Sequence, residues 1–220
     1  PAGGESSILT GVDLTERSDG RLAKNPESAV YYSSSSFADG QWDPAAVSAI
    51  TGVRKTMEYF KDVHGRTGLR GDGRGVKTYI NVTLDGGALD NALWNGESIF
   101  FGIGGGSYNW NNTAIASDVA AHEFTHGVIT STSALEYSFE SGALNESYSD
   151  FFGVLVDGEN DWDIGEDLYA GVGLLRSMSK PSRAGDPAHM DDYKNWPYSR
   201  DSGGVHTNSG IPNRGNFIFG

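Results

Sequence analysis

Helical spacing appears first after Asp43-Pro44. Val47, Ile50, Val53, Met57 and Phe60 recur every three or four residues, and the pattern stops before Gly65. That repeat predicts an amphipathic helix over about 44–63. Asp43 suits the capping position and Pro44 the first helical one, where an N–H has no partner to lose. Residues 66–116 carry a different pattern. Short apolar runs at 77–82 and 98–101 lie between Gly, Asn and Thr clusters, which predicts strands joined by turns. Gly102-Ile-Gly104-Gly-Gly-Ser reads as a turn, because no helix follows to make it a dinucleotide fingerprint. Helical patterning returns over 117–130, with Ser117 as the expected cap, and again from 142 to about 156. Periodicity then fades up to Gly204. The final SGIPNRGNFIFG predicts the first turns of another helix. The run 33–36 is too short for a linker and reads as a loop or a polar strand edge. The plan is α+β, in one large domain or two small lobes. A β-rich lobe with one long helix spans 1–116, an α-helical lobe spans 117–220, and the chemistry sits at their junction.

Composition narrows the function. Hydrophobic residues make up 37% of the 220 and aromatics 11%, enough for a folded core. No apolar run approaches the length of a membrane span. Cysteine is absent, which excludes disulfides, thiolate metal sites and cysteine nucleophiles. Asp and Glu total 29 against 16 Lys and Arg, for a net charge of −13. Nucleic acids and anionic lipids are poor partners for such a chain. The acidic excess serves either solubility or the binding of hard cations. PAGGESSILTG lacks the basic and apolar regions of a signal peptide.

His122-Glu123-Phe124-Thr125-His126 lies inside a predicted helix. Residues four apart differ by about 40° around a helix, so both imidazoles leave one face and can share a zinc ion. Glu123 is rotated by about 100° from His122. It can lean over the site without ligating, as a general base requires. The plainer reading is two surface histidines that happen to fall a turn apart. A catalytic zinc needs a third ligand. Glu146 follows His126 by 20 residues, which is room for a turn and a returning helix. Asp150 shares the face of Glu146 and can accept from the second nitrogen of a ligating histidine; Asn145 flanks the same site. Against a solvated pair of carboxylates stand Phe151, Phe152, Val154 and Leu155, which predict a buried helix.

HEFTH, GALNESYSDFFG and SGGVHTNSG, in this order, resemble the thermolysin-like zinc metalloproteases. The resemblance runs from about Asp39 to the end, and residues 1–38 match poorly. It implies a two-lobed fold and a secreted neutral endopeptidase that hydrolyses peptide bonds with a metal-activated water. His122, His126 and Glu146 would bind one zinc, with Glu123 as base. Tyr137 and His206 would steady the oxyanion, and Asp201 would hold the His206 ring. Arg176 would hold a substrate carbonyl. Asn91, Ala92 and Trp94 belong to the edge segment that pairs with the peptide backbone; Leu93 stands where the family has an aromatic. Val119, Ile164 and Leu175 would line an apolar pocket and favour cleavage before Leu, Phe or Ile.

Five carboxylates fall within the ten residues from Asp157 to Glu166, a density that suits calcium and equally a solvated loop. The resemblance implies a double calcium site of Asp118, Asp157, Asp161, Asp163 and Glu166. The segment from Glu166 to Arg176 is short and 33–37 lacks carboxylates, so two calcium ions are expected and no more. The family continues well past GVHTNSG, whereas this chain stops 14 residues after His206. A chain lacking much of the helical subdomain is expected, with the remainder or a propeptide as possible partners beside polypeptide substrates. Two rivals stand beside the peptidase. One is a metal-stabilised fragment or module that binds peptides without cutting them. The other is a glycosidase built on paired carboxylates, which leaves the histidine spacing unexplained.

Overall fold

The computed structural model describes residues 7–16, 22–25, 31–32 and 43–219. The stretch 33–37 lies outside them. The β-rich part is organised on β5 (Lys77–Leu84). Its first half runs parallel to β1 (Ser7–Thr10) on one side and to β8 (Ser98–Gly102) on the other. Its second half pairs with β2 (Asp13–Glu16), parallel, and β6 (Gly87–Ala88), antiparallel. The change falls at a register shift between Tyr79 and Val82, where Asn81 takes a φ of 53°. A bulge of this kind lets one strand serve two neighbour sets. β3 (Leu22–Lys24) and β4 (Tyr31–Tyr32) extend the sheet beyond β2 and β1. On the far side β7 (Ala92–Trp94) pairs antiparallel with β8 and, among the described residues, with nothing else.

α1 spans Pro44–His64. Asp43 accepts from the N–H of Ala45 at 2.9 Å, and Gly65 closes the helix in the left-handed conformation. Its buried face holds Val53 and Phe60 as expected but differs at its N-terminal half. Val47 and Ile50 are 40% and 37% exposed, whereas Ala46, Ala49 and Gly52 are buried. The cause is a close helix crossing: a Cβ on Gly52 would sit 2.8 Å from Cβ of Ala120. Small residues, not the bulky aliphatic ones, fit that contact.

α2 (Ser117–Thr130) carries the HExxH residues, and α3 (Phe139–Asp157) carries Glu146. Ser117 does not cap α2. Ala116 holds that position, and the Ser117 hydroxyl donates to the Asp157 carboxylate at the end of α3. α3 begins three residues before the expected start at 142. The three helices meet at Phe60, Phe124 and Phe152, with ring centroids 5.8 and 4.8 Å from Phe60. Fully burying one such ring contributes about 1.5–3 kcal/mol. The two-stranded ribbon β9 (Asp163–Ile164) and β10 (Arg176–Ser177) follows, then α4 (Asp201–Asn208) and α5 (Gly210–Phe219). None of the described helices is long and apolar enough to cross a membrane.

Candidate functional site

α2 sends His122 and His126 out on one side, and their Nε2 atoms stand 3.0 Å apart. α3 brings Glu146 to the same point. Its Oε2 lies 3.4 Å from His122 Nε2 and its Oε1 3.4 Å from His126 Nε2. The other ring nitrogens face polar partners, although His122 Nδ1 meets its carboxylate at ion-pair distance without hydrogen-bond alignment. His126 Nδ1 is 2.8 Å from Asn145 Oδ1 and 3.1 Å from Ser149 Oγ. His122 Nδ1 is 2.8 Å from Asp150 Oδ1. Both histidines are thereby oriented with Nε2 free for a shared partner. A tetrahedral zinc with bonds of about 2.0–2.1 Å separates its donors by roughly 3.3 Å, close to this triangle. Glu146 Oε2 is buried without a hydrogen-bond partner, a cost that a cation would remove. The donor set therefore fits zinc.

Around the triangle stand further polar groups. Glu123 is buried on α2, and burial pushes its carboxyl up to about 7, with the neighbouring His122 acting in the opposite direction. The Tyr137 hydroxyl donates to Glu146 Oε1 and lies 3.1 Å from His206 Nε2. Burial and the Glu146 charge push the Tyr137 phenol up, so it stays a donor. His206 Nδ1 lies 2.5 Å from Asp201 Oδ1. Ser202, Gly203 and Gly204 all have positive φ, of 48°, 90° and 87°, which breaks the start of α4 and turns His206 toward the site. The glycine pair suits that turn because it carries no Cβ. Arg176 on β10 grips Asp150 with Nε at 2.6 Å and Nη2 at 2.7 Å, and Nη2 lies 3.8 Å from Glu146. Burial opposes charge on Asp150, but Arg176 and His122 outweigh it and hold the carboxyl well below its ordinary range.

The profile of the thermolysin metallopeptidase catalytic domain matches residues 6–130, and that of the thermolysin metallopeptidase alpha-helical domain matches 133–219. The chain belongs to the thermolysin metallopeptidase family. It is 41% identical over 186 residues to bacillolysin of Brevibacillus brevis, covering 83% of this chain and 34% of that protein. It is 44% identical over 175 residues to an extracellular elastase of Staphylococcus epidermidis, covering 77% of this chain and 34% of that protein. The chain thus spans about a third of the length of the curated relatives it matches. A solved structure, the precursor of protealysin, a metalloproteinase from Serratia proteamaculans, superimposes with a TM-score of 0.74 at 33% identity. It covers 97% of this chain and 68% of that one.

In this metallopeptidase chain His122 and His126 line a cleft of about 1010 Å³, with Glu146 buried behind them. Asn91, Ala92 and Trp94 line one wall, and Val119, Ile164 and Leu175 contribute apolar surface. Arg176, Tyr137 and His206 line it as well. Asp201 and Asp150 reach the cleft through His206 and His122.

The acidic loop is arranged differently from the expected set. Asp157, Glu159 and Glu166 bring one carboxylate oxygen each within 4.8 Å of one another. Asp118, Asp161 and Asp163 lie outside that group. Asp118 is buried and accepts from the backbone N–H groups of Val119, at 2.7 Å, and Gly165, at 2.5 Å. Asp161 accepts from the Asp163 N–H at 3.1 Å, and Asp163 pairs with Arg183. Glu166 Oε2 and Asp163 Oδ1 are buried without hydrogen-bond partners, which suits a nearby cation. Burial, then the charges of Asp118, Asp161 and Asp157, push Glu166 up to about 7.

Sequence reasoning did not single out Glu159, Ser149 or Asn213 for the site. Glu159 stood in the acidic run with nothing to set it apart. Ser149 and Asn213 act only through residues brought close by folding. No local signal set Asn213 apart, because Arg214 and Asn216 are polar residues of the same helix.

Proposed function

We propose that this chain is the zinc-binding, catalytic part of a secreted endopeptidase. The observation that carries the reading is the triangle of His122, His126 and Glu146 with buried Glu123 beside it, bordering a cleft walled by an edge strand. Zinc held by these three residues would supply Lewis acidity toward a peptide carbonyl and a water. An extended peptide pairs along β7, whose outer edge has no strand neighbour among the described residues. Asn91 and Arg176 hold its backbone. Val119, Ile164 and Leu175 receive the side chain after the scissile bond, which favours Leu, Phe or Ile. Glu123 accepts a proton from the attacking water as the C–O bond forms. Its raised pKa, near neutrality, suits it to pass that proton to the leaving nitrogen as the C–N bond breaks. Tyr137 and His206 donate to the oxygen that gains negative charge.

Calcium is the second cofactor of this reading. Asp157, Glu159 and Glu166 form the better-supported position. Asp118, Asp161 and Asp163 surround it and offer oxygens for a second ion. The site ties α3 to the loop behind the cleft and braces the helix that carries Glu146. A propeptide is the expected partner before activation, in line with the precursor state named for the protealysin structure.

The test uses a quenched peptide with Phe-Leu at its centre, the chain and its Glu123→Ala variant. Zinc-dependent cleavage before Leu that is lost in the variant supports the peptidase. Folded, zinc-loaded protein that cuts with neither form supports a peptide-binding module instead.

A further inference from the structure

α4 and α5 follow one another with only Ser209 between them, and they deliver two polar side chains to α3. His206 reaches Glu146, its Nε2 lying 3.4 Å from Oε1. Seven residues later, two helical turns on, Asn213 reaches Asp150, its Nδ2 lying 2.8 Å from Oδ2. Glu146 and Asp150 are themselves one turn apart on α3. Asn213 is completely buried. The orientation of its amide is fixed by chemistry: an ionised carboxylate can only accept, so the NH₂ group faces Asp150. The amide oxygen is left buried with no hydrogen-bond partner. An apolar side chain would avoid that penalty but would give up the hydrogen bond to Asp150, so the amide is not chosen for packing alone.

Asp150 is thus held from three elements. β10 supplies two contacts through Arg176, α2 one through His122, and α5 one through Asn213. Arg176 touches both oxygens and cannot by itself choose which one faces His122. Asn213 touches Oδ2 alone. We infer that Asn213 is a positioning residue of the metal site: it ties down Oδ2 of Asp150 so that Oδ1 faces His122 Nδ1 and keeps His122 Nε2 aimed at the point shared with His126 and Glu146. The inference rests on the reading of that point as a zinc site. It makes the terminal helix part of the metal site although it contributes no ligand. Groups that orient a metal-bound histidine typically change metal affinity by about 10–100-fold when removed.

The experiment compares the 220-residue chain with its Asn213→Leu and Asn213→Ala variants. Zinc affinity is read by competition with a chromogenic chelator, and the melting temperature is read on metal-free protein. Asn213→Leu removes both the orphaned oxygen and one donor to Asp150 at similar size, so the two effects offset and its metal-free melting temperature is expected to stay close to the parent's. Its zinc affinity is expected to fall by about tenfold or more, with kcat falling and KM unchanged. A merely structural role predicts the opposite pairing: a lower melting temperature with zinc affinity within twofold. That result in both variants, with a zinc-binding parent, overturns the inference alone. A parent that binds no zinc overturns the reading of the site and this inference with it.

Discussion

Asp201 Oδ1 stands 2.5 Å from Nδ1 of His206, which leaves the opposite ring nitrogen facing the cleft. Burial works against charge on His206, but Glu146 and Asp201 outweigh it and raise its pKa. The ring can therefore offer a charged donor to a developing oxyanion. Asp201→Ala withdraws that support. A hydrogen bond from a charged group contributes about 1.5–3 kcal/mol, so kcat is expected to fall roughly 10–100-fold. KM should move little, because the contact strengthens only as the oxygen gains charge. Steady-state kinetics on the Phe-Leu peptide check this, and an unchanged kcat would remove His206 from the proposed machinery.

Arg176 neutralises a buried pair of carboxylates. Its guanidinium holds Asp150 through two nitrogens and lies 3.8 Å from Glu146. Arg176→Ala leaves both acids without that cation in a dry environment. The expected loss is about 3–5 kcal/mol of folding stability in metal-free protein. Arg176→Lys should recover only part of it, since an ammonium cannot reproduce the planar two-point grip. Urea unfolding of the two variants decides the point.

Metal-free stability should depend on pH through Glu166. Its folded pKa is raised to about 7 from an ordinary 4.5. The folded state therefore binds more protons than the unfolded one between these values. Its stabilising contribution is full below about 4.5 and is lost as pH rises toward 7. Calcium competes for the same oxygen, so its affinity should weaken as pH falls below about 7. Thermal melts across this window, with calcium and with a chelator, should diverge as pH rises. Parallel curves, or a Glu166→Gln variant with unaltered calcium binding, would count against a cation at this position.

The α1–α2 contact predicts an inverted ranking of substitutions. Gly52→Val inserts a branched side chain where even one carbon would meet Ala120 at 2.8 Å. It should cost about 1–3 kcal/mol through overpacking. Val47→Ala on the same helix removes a larger group from a 40% exposed position, and should stay within about 0.5 kcal/mol. Denaturant midpoints of the two proteins test the ordering.

Local chemistry was the most legible part of the chain. The spacing of His122 and His126 fixes a common helical face, and Asp43-Pro44 marks the start of α1 within a residue. Motif order along the chain indicated the family. What stayed hidden depended on how closely elements approach one another. Val47 and Ile50 carry the helical period, yet the closest approach of α1 to α2 is made at Gly52 and Ala120. Ser117 looks like a cap, but folding brings Asp157 within reach of its hydroxyl and Ala116 takes the cap position. The acidic loop showed its composition and not its wiring: Arg183 draws Asp163 aside, and Glu159 enters the cluster. Asn213 owes its place to a contact across 63 residues, which no local pattern encodes.

One helix, α2, carries both Val119 on the apolar wall and the His122–His126 pair, with two residues between Val119 and the first histidine. The wall and the reacting centre therefore share a single ruler of fixed pitch. A change of side chain at Val119 alters the size of the cavity without altering its distance from the chemistry. Ile164 and Leu175, which line the same cleft, belong to the short β9–β10 ribbon and the residue before β10, and no histidine rides on it. In the proposed reading, one part of the side-chain pocket is tied to the metal-binding helix and the other is not. Libraries aimed at new cleavage preferences belong at Ile164 and Leu175, with Arg176 between β10 and Asp150 left unchanged so that the reacting groups keep their support.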